Sequence, residues 1–350
     1  MPPNWFERNP KKTLGIFWVI LGCLMLLLGE IGGRLFFPQW MPGNADRNFW
    51  IYDSVLGWRH KPHQHGRFTH RDFSIEIQIN SDGLRDKEYS KKRTSRKRML
   101  VLGDSYGWGF GVEHADIFSE VLERRHADWE IINASVSGYG TDQQLLYLQR
   151  HGMEYQPDVL LLLLCENDFL TNTLYETAWY NKPIFLFEEN RLWLKNVPVP
   201  QSTITQRLDR FFYGKTFLWV RIYREINRLF DVVAFLLHVS QEKHREIIGE
   251  HWEEENAITF RLLAELHHVC QARQMRFFIV SIPMNPKRVA LLADFSQQEQ
   301  IPYLSLDERF SKETERTIFA HDGHWNQKGH QIAAEAIDQF FQEYSIIHDL

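Results

Sequence analysis

The spacing of hydrophobic and polar positions changes several times along this 350-residue chain, and each change predicts a different element. From Thr13 to Gly29 no residue is charged, and Leu14, Ile16, Phe17, Val19, Ile20, Leu21 and Leu24 to Leu28 make the run strongly apolar. Extended to Gly33 at ~1.5 Å rise per residue, it is long enough to cross a ~30 Å hydrocarbon core. Period-two alternation follows at Phe73-Ser74-Ile75-Glu76-Ile77-Gln78-Ile79 and predicts a strand. After Arg98 short apolar runs alternate with longer amphipathic ones. The runs predict strands at Met99 to Leu102, Glu130 to Ile132, Asp158 to Leu164, Arg276 to Val280 and Ile301 to Leu306. Helices are predicted around Ile117 to Arg125, Asp142 to Met153, Glu253 to Arg273 and Gln327 to Tyr344. This alternation predicts an α/β fold: a parallel sheet with helices on both faces and right-handed crossovers.

The chain divides accordingly. Residues 1–37 read as a cytoplasmic N-terminus and transmembrane anchor, and 38–98 as a connecting region with a small β element. Residues 99–350 read as the main domain, carrying an insertion at about 171–249. Turn signals stand at Pro42-Gly43-Asn44 and Ser81-Asp82-Gly83. The insertion opens with aromatic, loop-like sequence (Trp179, Tyr180, Pro183, Phe185, Phe187) and turns around Val197 to Pro200. Its amphipathic stretch, Phe217 to His238, reads either as a lid helix on the domain or as a helix lying on the membrane surface.

Arg8, Lys11 and Lys12 precede the apolar run, which by the positive-inside tendency keeps the N-terminus cytoplasmic. Everything after Phe37 is then expected in a periplasm-like or extracellular space. Gly29-Glu30-Ile31-Gly32 is a poor cleavage site, and the residues after Cys23 stay apolar where a lipoprotein would need a polar tether. An uncleaved anchor fits better than either.

Composition narrows the classes. At 44% hydrophobic and 24% charged residues the chain is a folded globular protein. A net charge of -5 gives no reason to expect nucleic-acid binding. The basic run from Lys91 to Arg98 reads as a solvated linker. Three cysteines are too few for a disulfide framework, and Cys165 and Cys270 read as small core residues.

Candidate chemistry gathers after the predicted strands. Gly103-Asp104-Ser105-Tyr106 follows the first, at the end of a parallel sheet where reacting groups collect. Alone, Ser105 reads equally as a helix N-cap. Gly107, Gly109 and Gly111 lack the Gly-Lys-Ser/Thr ending of a phosphate loop. Three further segments make a constellation: Asn133 to Gly140 after the second strand, Cys165-Glu166-Asn167-Asp168 after the third, and His321 to Asn326 before the last helix. A serine nucleophile needs a base, here His324, and that base needs an acceptor on its other nitrogen, a role open to Asp322. The tetrahedral intermediate needs donors: the backbone N–H groups of Ser105 and Gly138 and the side-chain amide of Asn167. His60, His63, His65 and His70 lack a metal-ligand pattern and read as exposed loop histidines. Trp108 and Trp325 flank the motifs, as pocket walls or as packing.

In this order Gly-Asp-Ser, Asn-x-x-x-x-Gly, Asn-Asp and a late Asp-x-His resemble the SGNH (GDSL-like) hydrolases, over about Met99 to Tyr344. The resemblance implies a flavodoxin-like three-layer α/β/α sandwich and ester hydrolysis or acyl transfer with no metal or organic cofactor. It gives Ser105 as nucleophile, His324 as general base, and Gly138 and Asn167 as completing the oxyanion hole. Two positions depart from the family pattern: Cys165 takes a glycine position, where it would narrow the pocket, and Asp322 lies two rather than three residues before His324. A backbone carbonyl is the other partner open to the ring. The stretch Ile79 to Asp86 also resembles a segment of membrane-anchored members, and beyond a turn the sequence assigns it no physical role.

The expected function is a membrane-anchored serine esterase cleaving acyl esters, such as O-acetyl groups, of an extracytoplasmic glycan or other envelope component. An O-acyltransferase using the same site is the nearest alternative, because a sugar hydroxyl can resolve an acyl-serine in place of water. A non-catalytic scaffold of an envelope assembly is the alternative from another class. The expected partners are an acylated small molecule or glycan and, through the N-terminal helix, the membrane.

Overall fold

The computed structural model describes residues 4–37, 49–177, 180–189, 191–212, 215–219, 221–222, 225 and 241–344. Helix α1, Pro10–Phe36, is 27 residues long with a mean hydropathy of 2.3 over its most apolar window. By length and composition it can cross a membrane. Its last turn meets the insertion: the Glu30 carboxylate accepts the backbone N–H groups of Phe217 (2.8 Å) and Leu218 (2.9 Å).

Two antiparallel hairpins follow, β1 (Trp50–Asp53) with β2 (Gly57–His60), and β3 (His65–Thr69) with β4 (Ser74–Gln78). The alternation in sequence foretold only β4. The other three strands carry charged and aromatic residues in mixed order, and Phe68 of β3 joins Ile75 and Ile77 of β4 in a local cluster with Phe49 and Trp108.

The main domain runs β5 (Lys97–Leu102), α2 (Ser105–Trp108), α3 (Phe118–Arg125), β6 (Trp129–Asn133), α4 (Thr141–Arg150), β7 (Val159–Leu164) and α5 (Glu166–Thr171). The insertion holds β8 (Ile184–Glu188), β9 (Arg191–Lys195) and α6 (Ile204–Phe212). Then come α7 (Gln241–Ala272), β10 (Arg276–Ser281), α8 (Pro286–Glu299), β11 (Tyr303–Ser305) and α9 (Gln327–Glu343). Five strands form one parallel sheet in the order β11-β10-β7-β5-β6. Counted among these five, the order is 2-1-3-4-5, the flavodoxin-like arrangement with its switch point between β5 and β7.

Successive residues of a strand face opposite ways, and here each face is apolar. Leu100, Leu102, Leu160, Leu162 and Ile279 pack with Leu145 and Leu148 of α4, Leu262 and Leu266 of α7 and Leu292 of α8. Met99, Val101, Leu161, Leu163 and Val280 pack with Phe118 and Leu122 of α3 and with Ala333, Ile337 and Phe341 of α9. The expected three-layer α/β/α sandwich with a parallel sheet is therefore present.

Several local expectations change. Phe185 and Phe187 of the aromatic stretch lie in β8, which pairs with β9, whose residues alternate exposed and half-buried positions. Helix α8 was not foreseen; Asn285 caps it, accepting the Lys287 N–H at 2.9 Å, with Pro286 in the first turn. The run before β5 is not all solvated linker. Arg98 is fully buried and donates to Glu130 (2.6 Å) and to the carbonyls of Tyr155, Ser90 and Lys92. Most of the amphipathic stretch Phe217 to His238 lies outside the described residues, as do Pro42-Gly43-Asn44 and Trp179.

Candidate active site

Parallel strands present their C-terminal ends on one edge, and all four motifs meet there. β5 ends at Leu102; Asp104 caps α2, accepting the Tyr106 N–H at 2.9 Å, and Ser105 opens the helix. His324 Nε2 lies 2.7 Å from Ser105 Oγ. On the other side of the ring, Asp322 Oδ1 takes a short hydrogen bond from Nδ1 and also accepts the His324 backbone N–H at 2.8 Å. The two-residue spacing closes this arrangement locally, so Asp322, not a backbone carbonyl, partners the imidazole. Burial alone raises the Asp322 carboxyl, but the hydrogen bond and charge of His324 outweigh it and hold its pKa below the usual value.

Two aromatic rings pack against the imidazole. Phe110 stacks on it with centroids 4.2 Å apart, and Tyr106 lies 5.0 Å away while its hydroxyl donates to the Gly323 carbonyl at 2.9 Å.

Asp104 is the hub beneath the serine. It is 1% exposed, and it accepts from Asn167 Nδ2 (3.1 Å) and Cys165 Sγ (3.0 Å) as well as from Tyr106. Cys165 therefore does not narrow the pocket; its side chain is fully buried under the loop, with burial pushing the thiol well up. Cys165 and Cys270 are free, buried thiols.

Asn167 and Gly138 are exposed at the same edge. Gly138 has φ +83°, which an L side chain adopts only with strain, and a Cβ there would sit 3.4 Å from the Trp58 ring. Neither the Ser105 nor the Gly138 backbone N–H donates to any described residue. Two N–H groups and one amide are thus available for an oxyanion.

Residues outside the four motifs support this site. Arg85, 2% exposed, donates to the carbonyls of Trp108 (3.1 Å), Gly109 (2.5 Å) and Val112 (2.6 Å), holding the loop that carries Phe110. Asp86 accepts the Asn133 N–H at 2.8 Å, and Asn133 Nδ2 donates to the Gly107 carbonyl at 2.8 Å. Trp58 Nε1 donates to the Ser137 carbonyl at 3.1 Å, propping the Gly138 turn. Asp72 takes the backbone N–H (2.9 Å) and ring Nδ1 (2.6 Å) of His321. The segment Ile79 to Asp86 so acquires a role, and its unusual density of charge beside apolar residues was the available signal.

One histidine expectation is corrected, and the open choice at two tryptophans is decided. His60 is buried, 1% exposed, with Nδ1 on the Gly83 carbonyl at 3.0 Å, while His63 and His65 are exposed and His70 is half-buried. Trp108 and Trp325 are both buried and serve as packing, the latter stacked on Phe310 at 5.1 Å.

A sequence profile of the GDSL-like lipase/acylhydrolase family matches residues 99–337. The chain belongs to this family. Among curated proteins none matches it. Solved structures similar in fold include TesA, at 13% identity and TM-score 0.42, over 71% of this chain and 99% of that one. Another is a GDSL-like lipase from Bacteroides thetaiotaomicron, at 10% identity and TM-score 0.40, over 73% and 93% of the two chains. A third is the psychrotrophic esterase EstA from Pseudoalteromonas sp., at 12% identity and TM-score 0.40, over 71% and 98%. Membership implies an ester hydrolase.

Proposed function

We propose that this GDSL-family chain is a membrane-anchored serine esterase that removes acyl groups, such as acetyl, from an extracytoplasmic glycan or other envelope ester. One observation carries the chemistry: Ser105 Oγ, His324 Nε2 and, through Nδ1, Asp322 form one hydrogen-bonded line. Ser105 Oγ attacks the acyl carbonyl as His324 takes its proton. The oxyanion is held by the N–H groups of Ser105 and Gly138 and the Asn167 amide. His324 then protonates the leaving alcohol, and a water, deprotonated by His324, releases the acid and restores the serine. In this reading residues 99–350 are the catalytic domain, 38–98 its bracing region and 1–37 a cytoplasmic N-terminus and anchor. The apolar run of helix α1 and the basic residues Arg8, Lys11 and Lys12 ahead of that run support that orientation.

The test uses the full chain in detergent with a chromogenic acetyl ester and a serine-reactive fluorophosphonate. Turnover and labelling are expected in wild type, and both vanish in Ser105→Ala with the fold retained. A folded wild type that neither turns over nor labels overturns the reading in favour of a scaffold. Acyl groups appearing on an added glycan in place of water would make the activity a transfer. A reporter fused after Leu350 is expected to be active only outside the cytoplasm.

A further inference from the structure

Beside Asn133, whose N–H Asp86 accepts, three side chains converge. Asp86, His114 and Glu120 each present one ligand atom, all within 4.8 Å of one another. His114 Nε2 lies 3.4 Å from Asp86 Oδ1 and 3.7 Å from Glu120 Oε1. Hydrogen-bonded partners would lie nearer 2.7–3.2 Å. Two ligands bound at about 2.1 Å to one tetrahedral ion lie about 3.4 Å apart.

A second observation is independent of that spacing. Glu120 is 9% exposed and its Oε1, like His114 Nε2, is buried with no hydrogen-bond partner. Such atoms are costly to bury unless something meets them. The Asp86 side chain is fully buried, and no ammonium pairs with it or with Glu120 among the described ion pairs. Lys87 is engaged by Glu123, and Arg124 donates to the Ala115 carbonyl at 2.7 Å. Two carboxylates and an imidazole thus face one another at metal-ligand spacing.

We propose that Asp86, His114 and Glu120 bind a zinc ion, with water as fourth ligand, at a structural site separate from the acyl chemistry. An imidazole among the ligands favours zinc over calcium or magnesium, which prefer all-oxygen shells. A cleft lined by Lys87, Arg96, Glu120, Glu123 and Arg124 gives access to Glu120. The ion would join α3, the loop before it and the Asp86 segment. Asp86 holds the Asn133 N–H, and Asn133 reaches the Gly107 carbonyl and Ser119 Oγ (3.0 Å), so the site stiffens the base under α2.

The test takes full chain in detergent, freed of metal by a chelator and dialysed, and titrates it calorimetrically with zinc chloride near neutral pH. Wild type is expected to bind one equivalent that His114→Ala and Glu120→Gln each weaken by at least about tenfold. It is also expected to gain thermal stability on binding. The Asp72→Asn/His321→Gln double variant, altered at the other His–Asp cluster, is expected to bind as wild type does. Folded wild type that binds no zinc overturns the proposal. So does binding that survives both single variants, which would mark an adventitious ion only. Should His114→Ala fail to fold, Glu120→Gln decides alone, since an amide keeps the shape of the neutral carboxyl.

Discussion

Asn167 donates through Nδ2 to Asp104 Oδ2 at 3.1 Å, tying the first turn of α5 to the residue that precedes the serine. One amide proton is committed to that bond, and the other remains for an oxyanion. In the proposed mechanism Asn167→Ala removes a transition-state donor and loosens the turn at once. The expected result is a fall of about 10²–10³-fold in kcat for an acetyl ester, with little change in KM. Steady-state kinetics beside a thermal melt would separate this from a folding defect.

A second consequence concerns the imidazole. Asp322 reaches it from only two residues away because its Oδ1 also takes the His324 backbone N–H, which folds the loop back on itself. Asp322→Asn keeps the shape but offers Nδ1 an amide and favours the wrong tautomer. The expected loss is about 10³–10⁴-fold in kcat at neutral pH. The Ser105→Ala baseline serves as the floor of the measurement; a loss under about tenfold would remove Asp322 from the triad.

These residues were legible in sequence because each motif directly follows a strand or precedes a helix, and a run apolar on both faces, such as Val159 to Leu164, is hard to mistake. The fold class was legible for the same reason. What was not legible depends on contacts distant in sequence. Trp58 meets Ser137 across 79 residues and Asp72 meets His321 across 249, and no local pattern encodes either. His60 looked like one of several loop histidines, because its burial comes from Trp108 stacking at 5.7 Å, which hydropathy around position 60 does not show. β8 and β9 were hidden by large apolar residues on their exposed face, Leu186 and its cross-strand partner Trp193.

Arg85 tests the bracing role of the upstream region. Its guanidinium, also 4.8 Å from the Trp108 ring centre, satisfies three carbonyls of the loop after the serine. Arg85→Met fills similar volume but leaves the Trp108 and Val112 carbonyls buried and unpaired, at about 1–3 kcal/mol each where water cannot replace the donor, while Gly109 keeps the Val112 N–H. The expected outcome is a loss of at least about 2 kcal/mol in urea unfolding, with kcat reduced because Phe110 no longer holds the His324 ring in place. Unchanged stability would mean that solvent reaches the loop freely.

Acid stability follows from His60. Burial, against a weaker opposing pull from the Gly83 carbonyl, lowers its pKa from 6.5 to about 4. The unfolded chain therefore binds a proton between these values that the folded chain refuses, and stability falls as pH drops through that window. The displacement corresponds to roughly 3 kcal/mol lost between pH 7 and pH 4. His330, lowered to about 3 by burial, acts in the same direction and extends the loss further into acid. His60→Gln keeps a neutral hydrogen-bonding group and deletes the titration, so its stability should decline with acid about 3 kcal/mol less than wild type over that range. Urea unfolding of both proteins at three pH values measures the slopes; parallel slopes would mean that His60 is protonated in the folded chain despite its burial.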